Sequence, residues 1–285
     1  EAGDFQTTFY YPYPDYKFPT TIFSDKHLPK KGELSNNLRN FDMDRMLLFD
    51  EKNAFDGIIE DDLFWLYSNS YMVVIGEDVA PEYARFSNDR AEEFAIKTVI
   101  EMVDGKKVVR KYPISKAAYS HILSMQTSYK KLCEKYEGSN LKINHCEIEY
   151  IGDMPVATFE YVEGVMLSEL LDACLEKEDK EGFLELFRKY LEKISYNETA
   201  KVSDYDLIFS NILVRGEDWT VIDYEWTFDR EYPARELAFR ALYCYLLESE
   251  SRNKCDMDEL LKLLKITEKD SEELREGELS FQKWV

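Results

Sequence analysis

Basic residues are in short supply in this chain: 36 Lys and Arg stand against 57 Asp and Glu, a formal net charge of −21. A general nucleic-acid or anionic-membrane binder needs a basic face, so both classes are disfavoured, although a local basic cleft stays compatible with an acidic whole. Histidine and cysteine are also sparse. His27, His121 and His145 have no ligand-like spacing, and the five cysteines (Cys133, Cys146, Cys174, Cys244, Cys255) form no CxxC pair. His145 and Cys146 are adjacent, and adjacent strand residues point to opposite faces. A structural zinc site is therefore not expected. Scattered thiols suit a reducing compartment. No apolar run approaches the roughly 20 residues that span a bilayer. Together these absences lead to the expectation of a soluble, cytoplasmic protein.

What is present is enough to build a core: 45% of the 285 residues are hydrophobic and 14% aromatic. That length suits one large or two unequal domains. The opening "TTFYYPYPDYKFPTTIFSD" carries prolines at 12, 14 and 19, which suit edge strands and irregular crossings. "FDEKNAFDGIIEDDLFWLY" reads as a short helix and "SNSYMVVIGE" as a buried strand. From about residue 83, "EEFAIKTVIEMV", the turn Asp104-Gly105 and "KKVVRKYP" form a hairpin pattern. Next, "SKAAYSHILSMQTSYKKLCEKY" sets Ala118, Ile122, Met125, Tyr129 and Leu132 at helical spacing, with Ser115 as N-cap. "CEIEYIGDMPVATFEYVEG" reads as two strands turning at Gly152-Asp153. "EGFLELFRKYLEKIS" places Phe183, Phe187, Leu191 and Ile194 on one helical stripe. "NILVR" and "WTVIDYEW" are short strands about Gly216. "PARELAFRALYCYLLES" and "DMDELLKLLKI" are helices, and "ELSFQKWV" is an amphipathic ending. There is no internal repeat.

The densest chemistry lies in "SDYDLIFSNILV". Asp206 is followed at once by Leu207 and five residues later by Asn211, the spacing of a kinase catalytic loop. Twelve residues on, the apolar strand of "VIDYEW" ends in Asp223. "PARELAFRAL" resembles the "DPAxDLA" helix start of aminoglycoside phosphotransferases, with Glu236 in the acidic slot. "FEYVEGVMLSELL" resembles the segment that links the two lobes in that superfamily. These four matches, in order, resemble an α+β, two-lobed protein-kinase-like fold: a small β-rich lobe over residues 83–163 and a larger helical lobe over 164–285, with a cleft between. The resemblance implies an ATP- and Mg²⁺-dependent phosphotransferase. In it Asp206 accepts the acceptor's hydroxyl proton, Asn211 and Asp223 bind metal, and the backbone of Glu160, Tyr161 and Val162 meets adenine.

The phosphate-binding cation must come from "VVRKYP". A two-residue Asp104-Gly105 turn sets Val103 opposite Lys106 and Thr98 opposite Lys111. Lys111 then shares the apolar face of Phe94, Ile96, Ile100 and Val109, where a cation needs an anion. Arg110 falls with Lys97 and Glu101 on the solvent side; a one-residue register shift would exchange the two. Three departures bear on activity. "RFSNDRAEE" has no glycine to wrap phosphate and offers Ser87, Asn88 and Arg90 instead, the alternative being an ordinary polar turn. Asp204 stands where that family carries a histidine. No Glu before Glu134 in the first helix can pair with Lys111, though His121 or Gln126 could substitute. Tyr205, Tyr224 and Trp226 flank the metal pair, for stacking or for packing.

"EAG", "FYYPYPDYKFP" and "YSNSYMVVIG" resemble the last strands of a class I methyltransferase domain. The arrangement is similar to large bacterial surface-polysaccharide biosynthesis proteins that join a methyltransferase to a kinase-like domain. The resemblance implies that residues 1–82 are an α/β appendage, that further domains flank this chain, and that the acceptor is a glycan sugar. A cap peculiar to this protein is the other reading of 1–82. Three other functions stay open: a small-molecule kinase of aminoglycoside or choline type, a non-catalytic scaffold, and a parent whose principal activity is methyl transfer.

Overall fold

The aromatic, proline-bearing opening folds as paired strands, β1 (Thr7–Tyr13) and β2 (Thr21–Ser24), followed by α1 (Glu51–Glu60), α2 (Phe64–Tyr67) and β3 (Met72–Ile75). This is a computed structural model that describes residues 7–34, 48–49, 51–76 and 81–285. The "EAG" opening, Asp50 and Glu77 lie outside the described residues. Pro12 sits in β1, which β2 and β3 flank. It is tolerated because β3 pairs only with Thr7 to Tyr10. At Pro12 the strand pairs with Ile22 alone, so the missing N–H faces no ladder.

Two expectations for this segment are corrected. The expected single helix is two, because the chain turns at Asp61 and at Asp62, which adopts φ 56°. The expected buried strand β3 is instead the outermost strand of its sheet, with Val73 and Ile75 46% and 66% exposed. Hydrophobicity alone does not distinguish a central strand from an apolar edge.

The chain continues through β4 (Tyr83–Phe86), β5 (Ile96–Val103) and β6 (Lys106–Pro113). Asp104 and Gly105 both take positive φ, 49° and 76°, as the tight hairpin turn requires. The ladder follows from it: Val103 faces Lys106, and Thr98 faces Lys111. Then come α3 (Tyr119–Lys135), β7 (Leu141–Ile143), β8 (Cys146–Ile151) and β9 (Met154–Glu160). Ser115 caps a short 3₁₀ turn over Lys116–Ala118 just before α3, accepting from the Ala117 N–H. Eight strands join in the order β3-β1-β2-β4-β5-β6-β9-β8. The opening strands therefore find their partner in β4, where Thr21 faces Arg85. Under them Tyr11, Tyr13, Phe23, Leu34, Phe55 and Phe64 form a buried aromatic-rich core.

The remaining elements are β10 (Val165–Met166), α4 (Leu167–Glu176), α5 (Lys180–Ile194), β11 (Ser203–Asp204), β12 (Ile212–Arg215), β13 (Asp218–Val221), β14 (Thr227–Phe228), α6 (Ala234–Glu248), α7 (Met257–Leu264) and α8 (Glu268–Trp284). The chain is thus mixed α+β, with a large antiparallel sheet and, among the described residues, eight α-helices. It divides into two compact units, residues 1–119 with 149–161, and residues 120–148 with 162–285. In the second, the stripe of α5 buries Phe183, Phe187, Tyr190 and Ile194, with Tyr190 rather than the expected Leu191, which is half-buried, on the core face. Tyr190 meets Phe209 edge-on at 4.9 Å, and Phe209 meets Tyr245 at 5.5 Å. Burying each such ring contributes about 1.5–3 kcal/mol. This packing anchors the loop that carries Asp206.

Candidate functional site

Two chain segments of the second unit run side by side. β11 pairs with β14, setting Asp204 opposite Thr227, and the Tyr205 N–H donates to the Trp226 carbonyl at 3.0 Å. Further on, β12 and β13 close a hairpin about Gly216, and the Ile222 N–H returns to the Asn211 carbonyl at 2.8 Å. The loop 205–211 is thereby held against 222–226 at both ends. Tyr190 fixes its middle by donating from its hydroxyl to the Leu207 carbonyl at 2.7 Å.

Asp206, Asn211 and Asp223 come together here. Asn211 Nδ2 donates to Asp206 Oδ2 at 2.8 Å and to the Asp206 carbonyl at 3.0 Å, with the Asp223 carbonyl at 3.5 Å. That leaves the Asn211 amide oxygen outside the pair. Asp223 holds φ 54°, a left-handed conformation that a residue with a Cβ adopts at a cost. Such strain clusters at functional positions, because the surrounding structure must enforce it. Burial pushes the Asp206 carboxyl above the ordinary carboxylate range, against the pull of the Arg240 cation, and the Asp223 charge adds to the rise.

No motif in the sequence singles out Arg240. It projects from α6 with its side chain only 6% exposed, and its Nη1 donates to Asp206 Oδ1 at 2.9 Å and to the Tyr205 carbonyl at 2.8 Å. Its Nε donates to Glu278 Oε2 of α8 at 2.6 Å. The "RELAFRAL" stretch marks Arg240 as a charge on an otherwise buried helix face, which was the available signal. Glu278 sits in a largely polar helix and carried none.

Asp204 is fully buried. Its Oδ1 accepts from the Asp206 N–H at 2.9 Å, while Oδ2 finds no protein partner among the described residues. Burial, and then the Asp206 charge, hold its carboxyl well above the usual range. His121 is committed to Glu225, with Nε2 and Oε2 2.9 Å apart and both side chains buried. The three flanking aromatics pack within the unit. Tyr205 lies under Arg240, the Tyr224 hydroxyl donates to the Asn144 carbonyl at 2.6 Å, and Trp226 meets Phe281 edge-on.

The other candidate residues belong to the first unit or to the crossing between units. Lys111 is buried on β6, with its ammonium 5.8 Å from the Phe159 ring centre. Arg110 occupies the other face, where it meets Glu101, Glu149 and Thr158. After β4, the Ser87 N–H donates to the Ile96 carbonyl at 3.0 Å and Asn88 Nδ2 to the Pro19 carbonyl at 3.2 Å, with Arg90 in the same turn. Glu160 ends β9 opposite Val108, Tyr161 takes the Lys107 ammonium over its ring at 5.0 Å, and Val162 begins the second unit.

Among the described residues no group of three or more His, Cys, Asp and Glu side chains has metal-holding geometry. The Asn211–Asp223 pair supplies one amide and one carboxylate oxygen, a hard donor set that suits Mg²⁺ when phosphate oxygens and water complete it. No helix of the described residues is long and apolar enough to cross a membrane. No protein-family model matches the sequence, and no curated protein does.

Proposed function

We propose that this chain is an ATP-dependent phosphotransferase of protein-kinase-like fold, acting on a hydroxyl acceptor. The observation that supports it most is the meeting of Asp206, Asn211 and a left-handed Asp223 on two adjoining loops. In this reading the acceptor hydroxyl gives its proton to Asp206 as its oxygen attacks the terminal phosphorus of ATP, and ADP leaves. Each Asp206 oxygen accepts one bond in the free protein, and a carboxylate oxygen has a second lone pair to offer. Asn211 and the Asp223 carboxylate would hold Mg²⁺, whose chemistry is to neutralise charge on the phosphates. Lys111, Ser87, Asn88 and Arg90 are the proposed phosphate contacts, and the Glu160–Val162 backbone the adenine contact. Following the resemblance of the opening segment to a methyltransferase tail, the proposed acceptor is a sugar of a surface glycan.

A second reading draws on a specific observation. Both Asp206 oxygens already accept from Arg240 and Asn211, an arrangement that also suits a nucleotide-binding scaffold with no turnover. Calorimetric titration with ATP, with and without MgCl₂, tests both readings, alongside ADP release with sugars, aminoglycosides and choline as acceptors. Asp206→Asn is expected to leave ATP affinity nearly unchanged and to lower turnover by roughly 10²–10⁴-fold. Asp223→Asn is expected to weaken both. Metal-dependent binding without turnover would favour the scaffold, and no binding at millimolar nucleotide would sink the whole reading.

A further inference from the structure

We infer that Arg240, braced by Glu278, is a positioning residue for Asp206, and that the C-terminal helix α8 is for that reason a working part of the site. This rests on Asp206 being the proton acceptor proposed above.

A guanidinium buried this deeply must be matched by anions. Arg240 has two, on opposite sides. Toward Glu278 it presents a fork: Nε lies 2.6 Å from Oε2 and Nη2 3.3 Å from Oε1. The remaining nitrogen, Nη1, reaches the Tyr205 carbonyl and the Asp206 carboxylate together, at 2.8 and 2.9 Å. One nitrogen thus ties the backbone of one loop residue to the side chain of the next.

Two rings hold the guanidinium plane: Tyr205, 4.3 Å from its centre, and Phe281 of α8, 5.3 Å away. A lysine could not make this set of contacts, because it lacks the planar fork. If the Arg240–Glu278 pair served only to pin α8 to α6, the fork alone would suffice. The third nitrogen is instead spent on the loop. With Asn211 on Oδ2 and Arg240 on Oδ1, rotation of the Asp206 carboxylate breaks two charge-assisted bonds.

The surrounding charge makes the cation necessary. The charges of Asp223 and Glu225 both press on the Asp206 carboxylate, and Arg240 offsets this crowding. α8 is itself firmly started, by a reciprocal cap between Thr267 and Asp270. It then packs Phe281 and Trp284 against Trp226, at 5.3 and 5.7 Å, three residues beyond Asp223. One helix therefore supports both segments of the site.

The test uses the whole chain with Glu278→Gln and Arg240→Lys, alone and with Asp206→Asn. Glu278→Gln keeps the shape and weakens the brace. It is expected to lower kcat about tenfold with ATP KM within about twofold, and Arg240→Lys to lower kcat further. In the Asp206→Asn background neither change should cost more, because the residue they position no longer acts. Additive losses, or a KM that rises in step, would overturn the inference. Carboxyl-¹³C NMR of Asp206 at fixed pH provides a readout independent of turnover. A resonance moved by Glu278→Gln supports the link even if the parent chain transfers no phosphate, a result that would count against the proposed function alone. An unmoved resonance overturns the link.

Discussion

Asp204→Asn should stabilise the protein at pH values above the titration of the buried Asp204 carboxyl. The Asp204 carboxylate is fully buried, with one oxygen on the Asp206 N–H and the other without a protein partner among the described residues. Leaving a buried acceptor unpaired costs roughly 1–3 kcal/mol, and more when it is charged. Arg240 offsets part of this, whereas the Asp206 and Asp223 charges add to it. The sign follows from the raised carboxyl. The folded chain holds the Asp204 proton more tightly than the unfolded chain, where an Asp titrates near 3.9. The contribution to stability is therefore complete below the unfolded value and is lost as pH rises through the folded one. Asparagine keeps Oδ1 for the Asp206 N–H and never ionises, so it avoids that loss. A gain of about 1–3 kcal/mol is expected above the folded titration, with each kcal/mol worth about 2–4 °C in Tm. The gain should shrink as the buffer is made acidic. Circular-dichroism melts of both proteins, from acidic pH up to the alkaline limit of the folded state, measure it. A variant less stable than the parent at every pH, with the same pH slope, would show that the Asp204 charge is fully compensated and refute the reasoning.

Two further outcomes are expected. Lys111→Ala should weaken nucleotide binding by calorimetry more than Arg110→Ala does, because Arg110 is occupied by Glu101 and Glu149 on the other face of the strand; equal losses would refute the assignment. Asp223→Gly should melt higher than Asp223→Ala by the equivalent of about 1 kcal/mol, because only glycine takes φ 54° without a Cβ penalty. Both should lose metal-dependent nucleotide binding, and identical Tm values would mean that the backbone there is not strained.

The parts of this protein legible in its sequence are those governed by local rules. Asp104-Gly105 can turn tightly in few ways, so the pairing of Thr98 with Lys111 followed from it. The stripe of α5 declared most of its buried face through the spacing of Phe183, Phe187 and Ile194, though Tyr190 takes the buried place read for Leu191. The proximity of Asp206 and Asn211 lay within a single loop. Illegible were the features set by partners far along the chain. β3 has the composition of a buried strand, and nothing nearby states that it closes the sheet as an edge. Arg240 meets Asp206 across 34 positions and Glu278 across 38, separations at which periodicity carries no information. His121 is by sequence a candidate partner for Lys111, whereas its nearness to Glu225 depends on the same long-range packing.

The strand order has a consequence for how the chain folds. In the large sheet most neighbours, such as β1 with β2 and β5 with β6, are joined by short connections, and contacts of that kind close quickly. The second unit instead needs β7 to pair in parallel with β13, matching Leu141 to Trp219, and then needs α6 and α8 to deliver Arg240 and Glu278. Loop-closure entropy must be met before such distant contacts repay it. On the ribosome, the opening strands can settle against β4 while the segments that brace Asp206 are still unsynthesised. Within these residues the candidate site, which depends on the most distant contacts, is expected to consolidate after the hairpins, and slow or incomplete folding would register there first.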